Sequence, residues 1–429
     1  MSKILHPETL ALHAGHRKDT ATNAVAVPIH MTTSYQFDST DHAENLFALK
    51  ELGNIYSRIM NPTCDVLEQR LAALEGGVAA LCVASGQAAS NFSILNLCKA
   101  GDNFVSSTDI YGGTWNLFAN TLKNLGIECR FVDPSDPENF HRATDDKTRC
   151  YYAETLPNPK LNVFPIKQVA NIAHSLGVPL IMDNTAAPLL CRPFDHGASI
   201  VMYSTTKYIG GHGTAIGGVV IDGGNFDWEA GGDKFPTLNQ PDPSYHGAVW
   251  TEAVKPLGPI AYILRMRVIL LRDMGSAMSP TNAFQFIQGL ETLALRIRQH
   301  SENAAKVADF LNAHDKVVNV IYPGLQSGEY RANADAHMSG GYSGLVGFEL
   351  ADGKAAGKKF IDGLELLYHV ANIGDTRSLA IHPASTTHSQ LSAEDQLSSG
   401  VTPGYVRLSV GIEHIDDIIG DISLALSKI

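Results

Sequence analysis

Within MYSTTKYIGGHG (202–213) a single amine, Lys207, follows three hydroxyl residues and precedes a run of glycines. That frame suits a nucleotide phosphate loop, a surface turn, or the anchor of a covalent cofactor. The phosphate loop fails on order. Its glycines come before the lysine, as G-x-x-x-x-G-K-[ST], whereas Ser204 and Thr206 precede Lys207 here. Other residues able to do chemistry fall at comparable places. Asp183 sits in MDNT (182–185), Tyr111 in DIYGG (109–113), and SGQAAS (85–90) passes from a strand pattern into a helix start. A helix N-terminus there would offer the backbone N–H groups of Gly86 and Gln87, beside Ser85, to an anion such as phosphate. Each piece also has an ordinary reading: turn chemistry for Ser85-Gly86, a helix cap for Asp183, packing for Tyr111, a solvated side chain for Lys207. His382 and His388 in IHPASTTH lack a cysteine or carboxylate at metal-ligand spacing, so no metal site is expected.

Jointly the set fits one cofactor. Pyridoxal phosphate needs a lysine to join its aldehyde, a carboxylate to keep its ring nitrogen protonated, a phosphate cradle and an aromatic ring to stack on. The carboxylate is the electronic lever, because a protonated pyridine withdraws charge and makes the substrate Cα proton removable. In YVRLSVGIE (405–413), strand periodicity puts Tyr405, Arg407 and Ser409 on one face and Val406, Leu408 and Val410 on the other. Arg407 there suits bidentate grip of an α-carboxylate and, equally, a surface salt bridge.

These residues need a scaffold that gathers them at one edge. From residue 66 strand and helix patterns alternate: LEQRLAALEGG, ASNFSILNLCKAG, WNLFANTLKNLG and FPIKQVANIAHSLG read as helices, and VAALCVAS, NFVSSTD, IECRFVD, RCYYAETL, VPLIMDN and SIVMYST as strands. The alternation predicts an α/β fold with a mostly parallel sheet covered on both faces, whose ligands bind at the strands' carboxyl ends. GGVVIDGG (217–224) reads as an added antiparallel strand, and 224–250, rich in Gly, Pro and Asp, as a long surface insertion. A helical stretch (258–274, then 282–314) leads into a second unit with strands around VVNVIYPG, GLVGFEL and YVRLSVGIE. The expected division is an irregular arm (1–65), a large α/β unit (66–270) and a smaller α+β unit (271–429). With 32 basic against 44 acidic residues, a net charge of −12, a nucleic-acid surface is not expected. No apolar run approaches the roughly 18 residues of a membrane span. The N-terminus lacks the apolar core of a secretory signal, and the six cysteines are scattered without a C-x-x-C pair, so reduced thiols in a cytoplasmic protein are expected.

YSRIMNPT (56–63), ASGQAA (84–89), DIYGGT (109–114), ETLPNP (154–159), MDNT (182–185), YSTTKYIGGH (203–212), IHPASTTH (381–388) and VRLSVGIE (406–413) together resemble the cysteine/methionine-metabolism branch of fold-type I pyridoxal-phosphate enzymes. The resemblance runs over essentially the whole chain. It implies the aspartate-aminotransferase-like transferase fold, with a seven-stranded sheet in the large unit. It also implies pyridoxal 5'-phosphate on Lys207, Asp183 at the ring nitrogen and Tyr111 as stacking ring and proton-transfer aid. The Gly86 and Gln87 backbone, with Ser85 and the Ser204 and Thr206 hydroxyls, would hold the phosphate. The family often has methionine where Gln87 stands, a change that a backbone contact tolerates. Tyr56 and Arg58 match residues that reach a neighbouring subunit's site, which implies a homo-oligomer, a dimer at least and a tetramer by resemblance. Arg407, Asn158, the backbone near Ser378 and Tyr56 would bind the substrate.

GNIYSRIMNPTCDVLEQRLAALEGGVAAL, the 224–250 insertion and GDTRSLAIHPASTTH resemble the O-acetylhomoserine sulfhydrylase subgroup. That subgroup implies γ-replacement: O-acetyl-L-homoserine and sulfide give homocysteine and acetate, in methionine biosynthesis. Methionine γ-lyases share the cofactor residues but usually carry cysteine where Gly113 stands. Cystathionine γ-synthases and O-succinylhomoserine sulfhydrylases tend to lack the insertion. A reading of another class, an inactive binding protein on the same fold, has to explain why Lys207, Asp183, Tyr111 and Arg407 are all present.

Overall fold

The computed structural model describes residues 5–390 and 392–429. A seven-stranded sheet organises the first part of the chain. Its strands are β1 (Ala79–Val83), β2 (Asn103–Ser107), β3 (Glu128–Val132), β4 (Thr148–Glu154), β5 (Leu180–Asp183), β6 (Ile200–Tyr203) and β7 (Gly218–Asp222). They run in the order β1-β7-β6-β5-β4-β2-β3. The pairs β2/β3, β2/β4, β4/β5 and β5/β6 are parallel, and β7 pairs antiparallel with both β1 and β6. The added strand at 217–224 is therefore antiparallel, as its position predicts.

Successive residues along these strands feed opposite cores. Tyr151, Met182, Val201 and Val219 pack in one apolar cluster, while their chain neighbours Tyr152, Ile181, Met202 and Val220 pack in another. Burial on both faces is why these strands read as unbroken apolar runs rather than alternating ones. The helices Pro62–Glu75 and Ile166–Ser175 lie over the first face, and Gly86–Leu95 over the second.

A second sheet comprises β8 (Val317–Ile321), β9 (Leu345–Leu350), β10 (Tyr368–His369), β11 (Leu379–Ile381) and β12 (Tyr405–Ser409), in the order β10-β11-β12-β9-β8. On β12, Val406 and Leu408 enter a third apolar cluster with the helices Leu293–Asn312, Gly353–Gly363 and Ile415–Ser427. Tyr405, Arg407 and Ser409 face the other way, as the alternation predicts: the Tyr405 hydroxyl donates to the Pro159 carbonyl at 2.9 Å.

Two expectations need correction. The first 65 residues are not wholly irregular, since Pro7–His13 and Thr40–Phe47 are helical and Ser39 caps the latter by accepting from His42 N–H. The 224–250 segment is not a bare surface loop. It folds into short helical turns whose Trp228, Phe235, Leu238 and Trp250 are buried in the second core. It also leaves β7 at Asp222, opposite Ala79 and Ile200 where β1 and β6 begin, so it lies at the amino end of the parallel strands. Among the described residues no helix is long and apolar enough to cross a membrane.

Candidate active site

The carboxyl ends of β1, β2, β4, β5 and β6, with the start of β7, converge on one edge of the large sheet. A cavity of about 260 Å³ opens there, and Arg407 from the second sheet closes one side of it. Ser85, Gly86, Gln87, Tyr111, Asn158, Asp183, Ser204, Thr206 and Lys207 all line it.

The cradle comes from the helix Gly86–Leu95. The Ser85 hydroxyl accepts from Ala88 N–H at 3.1 Å, which caps the helix and leaves the Gly86 and Gln87 N–H groups outside its ladder. Glycine at 86 is required by crowding, because a Cβ there would come within 2.6 Å of Ser204 Cβ. Gly218 is required likewise, as its Cβ would lie 2.2 Å from the Ser85 carbonyl oxygen. The Gln87 side chain accepts from the Thr114 hydroxyl at 3.0 Å, so it braces the next loop. The Thr206 hydroxyl is engaged by the backbone of Gly217, accepting from its N–H at 3.1 Å.

Asp183 projects from the end of β5. Thr185 N–H donates to it at 2.9 Å and the Tyr152 hydroxyl at 3.5 Å, and burial pushes its carboxyl above the usual range. A cationic ring nitrogen placed against it would offset that cost. The amine of Lys207 donates to Asn372 Oδ1 at 2.6 Å. Burial, with Arg407 nearby, lowers its pKa to about 8, which makes an appreciable fraction nucleophilic near neutrality. Behind Lys207 the chain turns through Gly211, at φ +73°, where a Cβ would meet the Arg296 guanidinium at 2.3 Å. Arg296 donates to the carbonyls of Tyr208 and Gly289, both at 2.7 Å, and of Ile209 at 3.2 Å, and so clamps the turn.

Arg407 is 8% exposed, and burial lowers its pKa. Its Nη2 donates to the Asn372 carbonyl at 2.9 Å, but its Nε has no partner. A surface salt bridge is thereby ruled out for this side chain. A buried guanidinium that lines a cavity and keeps an unpaired donor calls for an anion. Asn158 Oδ1 is a second buried orphan on the same wall. Cradle, carboxylate, amine, the orphaned Arg407 donor and the orphaned Asn158 acceptor together fit pyridoxal phosphate with an amino-acid substrate.

Three sequence candidates lie elsewhere. Ser378 is not brought to the cavity: its N–H and hydroxyl both donate to Glu413, at 2.6 and 2.8 Å, and its carbonyl accepts from Tyr368 N–H. The segment 371–373 takes that wall instead. Tyr56 and Arg58 lie on the exposed arm, with the Arg58 guanidinium 5.4 Å from the Tyr56 ring centroid, and do not line the cavity. Sequence reasoning missed Glu154, Tyr152 and Asn372. Glu154 stood within the quoted ETLPNP, at the end of a strand, which was the one available signal.

A model of the Cys/Met metabolism PLP-dependent enzymes matches residues 8–427. The O-acetyl-L-homoserine sulfhydrylase of Leptospira meyeri is 55% identical, covering 100% of this chain and 98% of that protein. Homocysteine synthase of Schizosaccharomyces pombe is 48% identical over 98% of each. Among solved structures, a putative O-acetylhomoserine (thiol)-lyase of Campylobacter jejuni superposes with a TM-score of 0.95 at 43% identity, covering 99% of this chain and 100% of that one. It contains N'-pyridoxyl-lysine-5'-monophosphate. The metB protein of Corynebacterium glutamicum superposes at 0.84 with 31% identity, covering 99% of this chain and 98% of that one. Sequence, fold and cavity agree, and the chain belongs to the Cys/Met metabolism family of pyridoxal-phosphate-dependent enzymes.

Proposed function

We propose that this protein is an O-acetylhomoserine sulfhydrylase, converting O-acetyl-L-homoserine and sulfide into L-homocysteine and acetate. The relatives' names point to that reaction, and one observation on this chain supports the acyl choice. Among the described residues the cavity's cations are Lys207 and Arg407. Arg407 is committed to the α-carboxylate and Lys207 to the cofactor, so a succinyl tail, with its second carboxylate, would find no further cation among these lining residues.

The cofactor, when bound, supplies an electron sink for charge developing along the substrate's carbon chain. Asp183 would hold the ring nitrogen's positive charge, and the Gly86 and Gln87 N–H groups with Ser204 would hold the phosphate. Arg407 and Asn158 would hold the substrate's α-carboxylate end, in the cavity that Lys207 also lines. A flexible amine with a pKa of about 8 can take and return protons at both carbons. Asn372 Oδ1 holds that amine between transfers. Tyr111, half-exposed and lining the cavity, would offer its hydroxyl to assist proton transfer as acetate leaves Cγ and hydrosulfide adds.

The reading extends to the assembly. The arm exposes Val25, Met31 and Phe47 beside Tyr56 and Arg58. A second copy covering it would bring Tyr56 and Arg58 to the phosphate, in a homodimer or a tetramer of two such pairs. The division proposed with it is an arm (1–65), a large unit (66–270) and a smaller one (271–429); in its support, β1–β7 fall within the second range and β8–β12 within the third. The test is steady-state turnover with O-acetyl- against O-succinylhomoserine, and with sulfide against cysteine. Faster homocysteine formation from the acetyl ester and sulfide is expected; preference for the succinyl ester, or dominant cleavage of methionine, would overturn it.

A further inference from the structure

Glu154 ends β4 directly beside Asp183 on β5, the two being partners in the parallel register. It is 7% exposed and lines the cavity. Its Oε1 accepts from Tyr111 N–H at 2.6 Å, and the Asn158 N–H faces the same carboxyl. Those two donors belong to different loops, one following β2 and one following β4. Tyr111 precedes the helix Gly112–Asn116, where the helix itself supplies no acceptor for its N–H. Its side chain is 54% exposed, so what fixes the ring is chiefly the placement of its backbone. One buried carboxyl thus ties together the two loops that carry Tyr111 and Asn158.

We propose that Glu154 is a positioning residue for the reaction: it holds the backbone from which Tyr111 and Asn158 face cofactor and substrate. The inference rests on the reading of the site given above. Burial, with Asp183 alongside, pushes the Glu154 carboxyl well above the usual range, while the backbone donors pull it down. What the loops require is an acceptor of this shape and reach, which a glutamine also provides.

The experiment compares Glu154→Gln, Glu154→Asp and Glu154→Ala, each alone and with Tyr111→Phe. Pyridoxal phosphate affinity of the ligand-free protein is measured by absorbance titration, alongside kcat and KM. Glu154→Ala is expected to weaken cofactor binding about ten-fold and to lower kcat/KM about 100-fold, the cost of an ångström-scale misplacement. Glu154→Gln is expected to stay within about three-fold of the parent. With Tyr111→Phe already present, Glu154→Ala should add less than about three-fold to the loss in kcat, since coupled residues are not additive. Full additivity in kcat, a glutamine variant as poor as alanine, or unchanged cofactor affinity would each overturn the proposal. If the alanine variant does not fold, the aspartate variant replaces it: its shorter reach should impair both readouts while glutamine is spared, and the reverse order refutes the idea. A parent protein that fails to bind pyridoxal phosphate would instead refute the reading of the site.

Discussion

Replacing Arg407 with methionine separates a substrate-binding arginine from a structural one. The guanidinium is buried, makes one bond to a backbone carbonyl, and keeps its Nε unpaired. If it grips the substrate carboxylate, the substitution removes one member of a desolvated charged pair, which costs about 2–5 kcal/mol. At 1.36 kcal/mol per decade that is roughly a 30- to 5,000-fold fall in kcat/KM for O-acetylhomoserine. The KM for sulfide should stay within about three-fold, since sulfide carries no carboxylate to grip. Stability should move the other way. Exchanging an unpaired buried charge for an apolar side chain of similar length is commonly neutral or stabilising, so the melting temperature of the ligand-free protein should hold or rise. Arg407→Lys restores charge without the planar fork and should fall between parent and methionine variant. The assay is initial rates over a matrix of both substrates, with thermal denaturation of the ligand-free forms. A methionine variant that keeps its kcat/KM for O-acetylhomoserine, or one that melts several degrees lower, would refute the reasoning.

The pKa of Lys207, about 8, lies below its ordinary 10.5, so the folded protein releases this proton first and the reactive free base grows as pH rises through 8. Labelling by pyridoxal phosphate and borohydride should therefore be about ten-fold slower at pH 7 than on its plateau above pH 9, and absent in Lys207→Ala; a flat profile from pH 6 upward would contradict this. Gly86→Ala drives a methyl against Ser204 and should weaken cofactor binding at least about ten-fold by absorbance titration, with about 1–3 kcal/mol lost in denaturant unfolding. Trp250 is fully buried in the insertion and donates through Nε1 to Asp242 at 2.9 Å. Trp250→Ala should cost about 3–5 kcal/mol of stability yet leave both KM values unchanged in the folded fraction, because the segment leaves the sheet at the end away from the cavity; a KM change without loss of stability would place the insertion in catalysis.

What was legible in the sequence depended on period and order. Asp183 was readable because it directly follows a short apolar run, and Lys207 because it follows another after three hydroxyl residues; parallel strands bring such ends to one edge. Arg407 was readable from the alternation along β12, although its burial was not. Asn372 was not readable: it follows a strand of two residues, too short to show any period, and no spacing ties it to Lys207 165 residues earlier. Ser378 was misplaced for the same reason, since nothing local shows that Glu413 takes both its donors. The insertion misled through composition. Its Gly, Pro and Asp residues signal turns, whereas its four large apolar anchors sit in a turn (Trp228), a bend (Phe235) or four-residue helices (Leu238, Trp250), too short to print a repeat.

The crowding around Gly86 and Gly218 has a consequence for how this protein tolerates change. Neither residue has a side chain to contribute, and they stand 132 positions apart, yet the room left at Gly218 is filled by the Ser85–Gly86 backbone and the room left at Gly86 by Ser204. In a saturation library, position 218 should therefore behave as an active-site position and be nearly closed to substitution. A search for the catalytic apparatus by functional groups alone would pass it by.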